Sequence, residues 1–245
     1  MSLDVVIPAH DEEDRIDSTL RAYERGLPEP DVRFRIALDG CRDGTADVVR
    51  EHAMADRRVD LLEFAKLGKG GVLMEAFRRC DADLIAFVDA DGATPPSELA
   101  RLVEVVVSGG ADIAIASRRH PASVTPGDRP LGRRLTSAGF AFGVRRLFDL
   151  PFSDTQCGAK VLRRSTAERI VPLLSSRDFL FDVDLLVVGR TLGYEIVEVP
   201  TVWIDKAGSK LRAGADARRM AASALRLWIH HRVLPLDASA EHDAA

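Results

Sequence analysis

The chain has 245 residues, of which 46% are hydrophobic and 29% charged. That suits one large globular domain, or two small ones, with a substantial core. Its three cysteines, Cys41, Cys80 and Cys157, are odd in number and widely spaced, which speaks against a disulfide framework or a zinc site and implies a reduced, cytosolic setting. No stretch reaches the length of a membrane-spanning helix, and Asp4 interrupts the short apolar start, so no signal peptide is read. The net charge of −4 conceals an asymmetry. Residues 118–169 carry ten Arg and one Lys against four acids, a net of +7, which leaves −11 for the remainder. A segment this basic inside an acidic protein points to an anionic partner.

Leu3 to Pro8 reads as a first strand, and Asp11-Glu12-Glu13-Asp14 suits the first turn of a helix running to about Tyr23. Phe34 to Leu38 is a second strand, ending in the turn-rich Asp39-Gly40-Cys41-Arg42-Asp43-Gly44-Thr45, with a helix from about Ala46. Val59 to Phe64 is a third strand, and Gly68-Lys69-Gly70-Gly71 opens a helix to Cys80. Leu84 to Val88 is a short apolar run with the character of a buried central strand. It leads into Asp89-Ala90-Asp91, and because side chains at i and i+2 share a side of an extended chain, the two carboxylates project together. Placed beyond the carboxyl end of a strand in an α/β sheet, they suit a hard divalent cation. The same pair also suits a simple turn capping the next helix, a reading that Gly92 and Pro95-Pro96 favour.

A helix over Ser97 to Ser108 and a strand over Asp112 to Ser117 complete an alternating pattern that implies a largely parallel sheet. Pro121 to Pro130 is a long loop, and Leu131 to Leu147 is helical with Arg133 and Arg134 in its first turn, where positive charge is unfavourable unless an anion is bound. Phe179 to Leu186 sets Asp182 and Asp184 among large apolar residues, and buried carboxylates need partners or a role. On a helix these two lie about 200° apart, so only one can face a given site. Glu195 to Pro200 and Val202 to Asp205 read as late strands. Arg212 to Arg232 is a basic amphipathic helix with Met220, Ala221, Ala224, Leu225, Trp228 and Ile229 at helical spacing, suited either to packing on the domain or to lying in a membrane surface. Residues 237–245 read as a disordered tail. Arg134, Arg145, Arg146, His230 and His231 read as surface, the cysteines as packing or loop residues, and His10 as near the site without chemistry of its own. Gly-Lys-Gly-Gly lacks the spacing of a P-loop, and neither G-x-G-x-x-G nor G-x-S-x-G occurs where it would signal a dinucleotide or hydrolase fold.

Taken together, the motifs resemble those of the family 2 glycosyltransferases with the GT-A fold, and the likeness covers residues 3–212. Val6-Ile7-Pro8-Ala9-His10-Asp11-Glu12 looks like that family's opening strand, with Asp11 in place of the usual Asn. Asp39 to Thr45 looks like its nucleotide-binding segment, with Leu38 and Cys41 in place of an Asp and a Ser. Lys69-Gly70 matches its Gly-Lys-Gly loop and Asp89-x-Asp91 its metal motif. Within the family the polyprenyl-phosphate sugar synthases are most similar: Ser117-Arg118, Arg133 with Ser137, Phe181 to Leu186 and Gly208-Ser209-Lys210 match theirs. Asp154-Thr155-Gln156-Cys157-Gly158-Ala159-Lys160 resembles a stretch of the dolichyl-phosphate glucosyltransferases and is the most specific match. Many of the mannosyl synthases have Gln at the position of Ala93.

The resemblance implies an α/β nucleotide-diphospho-sugar transferase fold with a mixed, mostly parallel central sheet flanked by helices. It implies one domain over 1–212, with a nucleotide-sugar half (1–117) and an acceptor half (118–212), followed by the helix at 213–236. It further implies inverting, metal-dependent transfer of a hexose, glucose from UDP-glucose above others, to a polyprenyl or dolichyl phosphate at the cytoplasmic face of a membrane. Pro8, Ala9, Asp11, Glu12, Asp39, Lys69, Asp89, Ala90, Asp91 and Lys210 would bind the donor. Asp89 and Asp91 would hold Mg²⁺ or Mn²⁺, and Arg118, Arg133 and Ser137 the acceptor phosphate, with Asp89, Asp91, Arg118 and Arg133 as the catalytic set. No nucleic-acid partner is implied, and the oligomeric state is open. A phosphate monoester is mostly dianionic at neutral pH, with a second pKa near ~6, and attacks without a base; a sugar hydroxyl would need one, for which Asp182 or Asp184 is the candidate. A GDP-mannose-dependent enzyme, a transferase acting on a soluble acceptor, and a nucleotide-sugar-binding scaffold without turnover remain as alternatives.

Overall fold

The strand Leu3–Ala9 (β1) is buried along almost its whole length and lies near the middle of a seven-stranded sheet. The computed structural model describes residues 1–126, 131–204 and 215–233, with backbone alone at 131–137 and 215–218. The other strands are Val32–Asp39 (β2), Val59–Phe64 (β3), Leu84–Val88 (β4), Ile113–Ser117 (β5), Ala159–Arg163 (β6) and Ile196–Pro200 (β7). Their order is β3-β2-β1-β4-β6-β5-β7, and β6 runs antiparallel to both its neighbours while the other pairs are parallel.

Successive strand residues face opposite sides, and both sides are covered by helices. In β4, Leu84, Ala86 and Val88 join one core while Ile85 and Phe87 join the other. Helices Glu13–Gly26 (α1), Thr45–Ala55 (α2) and Pro96–Val107 (α4) contribute to the first core. Helices Lys69–Phe77 (α3), Leu131–Phe148 (α5), Arg164–Ile170 (α6), Phe181–Thr191 (α7) and Ala215–Val233 (α8) contribute to the second. Phe77 of α3, Phe87 of β4 and Phe181 of α7 pack as a triad with ring centroids 5.8–6.1 Å apart. That triad ties the last residue of α3 and the first residue of α7 to β4.

Two features open the crevice in which the site lies. The chain leaves β1 towards β2 and β3 on one side and returns to β4 on the other, which creates a switch point between β1 and β4. The β1–β4 ladder stops at Val6 and Phe87, whereas β1 stays paired with β2 as far as Ala9. Pro8, with no N–H to offer, follows the point where the β4 ladder ends. Because β6 is antiparallel, the segment before it enters at the carboxyl end of β4, where Asp89 N–H donates to Gly158 O at 3.0 Å.

The elements read from sequence are present, with three corrections. Asp11 and Glu12 precede α1 rather than forming its first turn; Asp11 has φ 54° and its Oδ1 accepts Arg42 N–H at 2.8 Å. Val202 to Ile204 is no strand: Val202 makes one isolated bridge to Val124, and the backbone N–H groups of Trp203 and Ile204 go to Val124 and Ala93, on two different segments. Asp205 lies outside the described residues. The apolar stripe expected on α8 is divided. Ala224 and Leu227 are buried, whereas Leu225 and Ile229 point outward, 52% and 46% exposed. Phe181→Ala is expected to lower stability by about 3–5 kcal/mol, measured by urea unfolding.

Candidate active site

The loops after β1, β2, β4 and β5, the segment before β6 and the first turns of α3 and α7 converge at this end of the sheet. Asp89 and Asp91 lie just beyond β4, with Ala90 and Asp91 in the turn that follows the strand rather than in the extended chain. Burial, reinforced by the charge of Asp89, raises the pKa of Asp91 above the ordinary carboxylate value. Asp91 Oδ1 accepts the N–H of Ala93 at 3.0 Å. Helix α1 grips the same loop: Thr19 Oγ1 donates to Ala90 O and Tyr23 OH to Thr94 O, both at 2.9 Å. Two crowded, hard carboxylates with Asp89 still partly exposed fit a divalent cation of the Mg²⁺ or Mn²⁺ kind.

Lys69, at the start of α3, reaches Asp89 Oδ1 at 2.9 Å and Asp182 Oδ2 at 3.4 Å. Burial disfavours its charge, but Asp182 and Asp89 outweigh that and raise its pKa. Asp182 is itself buried and also accepts from Lys160 Nζ at 2.5 Å. Despite burial, the two lysines hold its pKa below the usual carboxylate range. Asp184 faces elsewhere, as the helical angle requires, and accepts from the backbone of Ser175 and Ser176, each at 2.7 Å.

Arg118, just beyond β5, grips Asp154 with two nitrogens, Nε to Oδ2 at 2.6 Å and Nη2 to Oδ1 at 2.9 Å, and lies 5.0 Å from the centre of the Trp203 ring. Burial would raise the Asp154 pKa, yet Arg118 brings it down to about 2. Glu198 of β7 secures the loop beneath by accepting from Ser153 Oγ at 2.6 Å and Asp154 N–H at 2.8 Å. This explains the motif from Asp154 to Lys160: Asp154 orients Arg118, Lys160 neutralises Asp182, and Gly158 leaves room for Asp89. A Cβ on Gly158 would stand 1.8 Å from Asp89 Oδ2.

The residues expected to bind a donor are distributed less simply. Pro8 and Ala9 end β1 at the crevice, and Glu12 accepts from Arg15 Nε at 2.7 Å. Asp39 is buried and largely committed: Oδ1 accepts from Leu67 and Gly68 N–H, at 2.6 and 3.1 Å, and Oδ2 pairs with Lys66 at 2.8 Å. It anchors the loop that carries Lys69. The N–H groups of Gly70 and Gly71 both donate to Arg177 O, so the start of α3 is capped by protein, unlike a phosphate-cradling P-loop. Arg133 and Ser137 lie in the first two turns of α5, but their side chains are outside the described residues, as is Lys210.

Four contributors escaped the sequence reading: Thr19 and Tyr23, whose i, i+4 spacing on the buried face of α1 was the available signal; Glu198; and His231. The last was read as surface, but it is only 10% exposed and its Nε2 lies 2.7 Å from Asp184 Oδ1.

A mixed seven-stranded sheet with a carboxylate pair beyond the carboxyl end of β4, beside the switch point, is the arrangement of a GT-A glycosyltransferase. The chain belongs to glycosyl transferase family 2, whose profile matches residues 4–171. It is 31% identical over 240 residues to the glycosyltransferase AglD of Haloferax volcanii, covering 96% of this chain but only 38% of that protein. It is 30% identical to a dolichyl-phosphate β-glucosyltransferase of Trichomonas vaginalis, covering 93% of this chain and 71% of that one. It is 31% identical to an undecaprenyl-phosphate mannosyltransferase of Micrococcus luteus, covering 82% and 83%. In fold it is similar to glucosyl-3-phosphoglycerate synthase of Mycobacterium tuberculosis, solved with Mn²⁺, UDP and phosphoglyceric acid, with a TM-score of 0.69 at 18% identity, covering 93% of this chain and 78% of that one.

Gly158→Ala should displace the Asp89 carboxylate and lower Mn²⁺ affinity by about 10-fold or more in an electron paramagnetic resonance titration, whereas Gly139→Ala, where a Cβ meets nothing, should leave it unchanged. The depressed pKa of Asp154 stabilises the folded state above pH 4, and this contribution is lost as pH falls from the unfolded value of 3.8 through about 2. Acid unfolding of Asp154→Asn should therefore be flatter across that window, by about 2 kcal/mol.

Proposed function

We propose that the protein transfers a hexose from a nucleotide-sugar to a polyprenyl phosphate, with inversion at the anomeric carbon. The observation that carries this reading is the state of the two carboxylates offered as bases. Asp182 is held ionised between Lys69 and Lys160, and Asp184 is buried with both oxygens occupied. A general base works best with a pKa near the operating pH; the lowered pKa of Asp182 moves it away from that, and the Asp184 oxygens are engaged by Ser175, Ser176 and His231. A phosphate acceptor needs no base, since it is mostly ionised at neutral pH.

Asp89 and Asp91 are the residues that would hold Mg²⁺ or Mn²⁺, which supplies charge neutralisation at a departing nucleoside diphosphate. Lys69 stands beside Asp89, placed to add positive charge on the donor side. Arg118, oriented by Asp154, and Arg133 on α5 are assigned to the acceptor phosphate, where a guanidinium binds two oxygens at once. Glucose from UDP-glucose is the donor we assign, on the likeness of residues 154–160 to the dolichyl-phosphate glucosyltransferases.

The lipid would be met at the surface of α5 and α8. Among the described residues no helix is long and apolar enough to cross a membrane. Leu225, Ile229 and Val233 recur every four residues on the outer face of α8 and are exposed, as is Phe142 of the neighbouring α5. Arg146, Arg226 and Arg232 are exposed on the same two helices. An apolar stripe with basic flanks suits contact with the surface of an anionic bilayer.

The test is mass spectrometry of lipid products after incubation with a short polyprenyl phosphate, Mg²⁺ and a mixture of UDP- and GDP-sugars, with EDTA as control. The expected result is a metal-dependent polyprenyl-phosphate hexose, with UDP released, reduced about 100-fold or more in Asp91→Ala and in Arg133→Ala. Release of GDP instead would reassign the sugar to mannose. Transfer to a small phosphorylated acceptor with no lipid product would overturn the proposal.

A further inference from the structure

His231 lies at the far end of α8, yet its imidazole meets a group that leads back to the site. Its Nε2 is 2.7 Å from Oδ1 of Asp184, a fully buried residue of α7. The other oxygen of Asp184 accepts the backbone N–H groups of Ser175 and Ser176 and lies 3.3 Å from Ser175 Oγ. Arg177, the next residue of that turn, accepts the N–H groups of Gly70 and Gly71 at 3.0 and 3.1 Å. The turn and the glycine loop are pressed backbone to backbone. A Cβ on Gly70 would stand 2.3 Å from Ser176 O, and one on Gly68 would stand 2.5 Å from Arg177 O. Lys69 lies between those glycines and reaches Asp89 at 2.9 Å.

We propose that His231 is a positioning residue for donor binding, acting through Asp184 and the Ser175–Arg177 turn on the loop that carries Lys69. The two acids of α7 then have separate tasks. Asp182 meets the ammonium of Lys69, and Asp184 fixes the backbone from which Lys69 extends. Asp184 can hold the turn firmly only if its second oxygen is satisfied, because a buried acceptor without a partner costs free energy that loosening the turn would relieve. His231 provides that partner from α8. The proposal rests on the nucleotide-sugar reading of the crevice but not on the identity of the acceptor.

Three full-length variants separate positioning from general support. His231→Ala removes the donor to Asp184. His231→Gln returns a side-chain N–H near the position of Nε2. Leu227→Ala removes a buried contact of α8 that is not part of this chain of hydrogen bonds. UDP and GDP affinity in the presence of Mn²⁺ is measured by calorimetry, and the thermal midpoint is recorded for each variant. His231→Ala is expected to weaken binding of the preferred nucleotide about 5-fold, His231→Gln to stay within about 2-fold of the parent, and Leu227→Ala to lower the midpoint while leaving nucleotide affinity in place. If His231→Ala does not fold, His231→Asn, whose shorter amide falls short of Asp184, takes its role. Unchanged affinity in His231→Ala, or an equal loss in Leu227→Ala, would overturn the proposal. Failure of the parent protein to bind either nucleotide would overturn it together with the donor reading. Nucleotide binding without lipid product would overturn the acceptor assignment alone.

Discussion

A buried carboxylate with two ammonium partners governs the geometry of this site. Asp182 has almost no contact with water, and its charge is compensated by Lys160 from β6 and Lys69 from α3. Such a group contributes little net stability, but removing any member leaves an uncompensated charge in a poorly solvated place. The constraint is therefore one of arrangement. It ties β6, α3 and α7 to common positions, and through Lys69 it extends to Asp89 at the end of β4. The aromatic triad of Phe77, Phe87 and Phe181 fixes three of the same elements by packing. Electrostatics and packing thus specify one placement of the carboxylate pair.

Where the chemistry is local in the chain, the sequence was readable. Strand alternation, the Asp-x-Asp pair and the Gly-Lys-Gly loop each lie within a few consecutive residues, and periodicity or turn chemistry identifies them. The run from Asp154 to Lys160 was recognisable as a motif, but its physical reasons were hidden. Asp154 answers Arg118, which lies 36 residues earlier. Gly158 answers Asp89, and Lys160 answers Asp182. None of these pairings leaves a trace in local spacing, because the antiparallel course of β6 brings them together.

The misreadings have similar causes. In α8 two neighbouring stripes are apolar, and helical periodicity alone does not decide which faces the domain. The structure turns Ala224 and Leu227 inward and leaves Leu225 and Ile229 outside. A histidine on a basic helix looks like surface until the buried acid opposite is known, and Asp184 is on another helix 47 positions away. The resemblance assigns Asp39 to the nucleoside, and nothing in the sequence signals that its carboxylate also ties down the Leu67–Gly68 backbone.

The interleaving of β6 also bears on how the chain can be made. The strand β5 hydrogen-bonds only to β6 and β7, both of which lie later in the sequence. A nascent chain that has emerged only as far as Ser117 holds β1 to β4 as a paired parallel sheet but leaves β5 with both edges unmatched and β4 with one edge open. Residues 159–163 close that gap by inserting between the two strands. Open strand edges invite pairing with other chains, and late, distant pairing slows folding. The strand that follows Gly158 thus closes the open edge of β4 and one edge of β5, and the other edge of β5 stays exposed to aggregation until β7 is made.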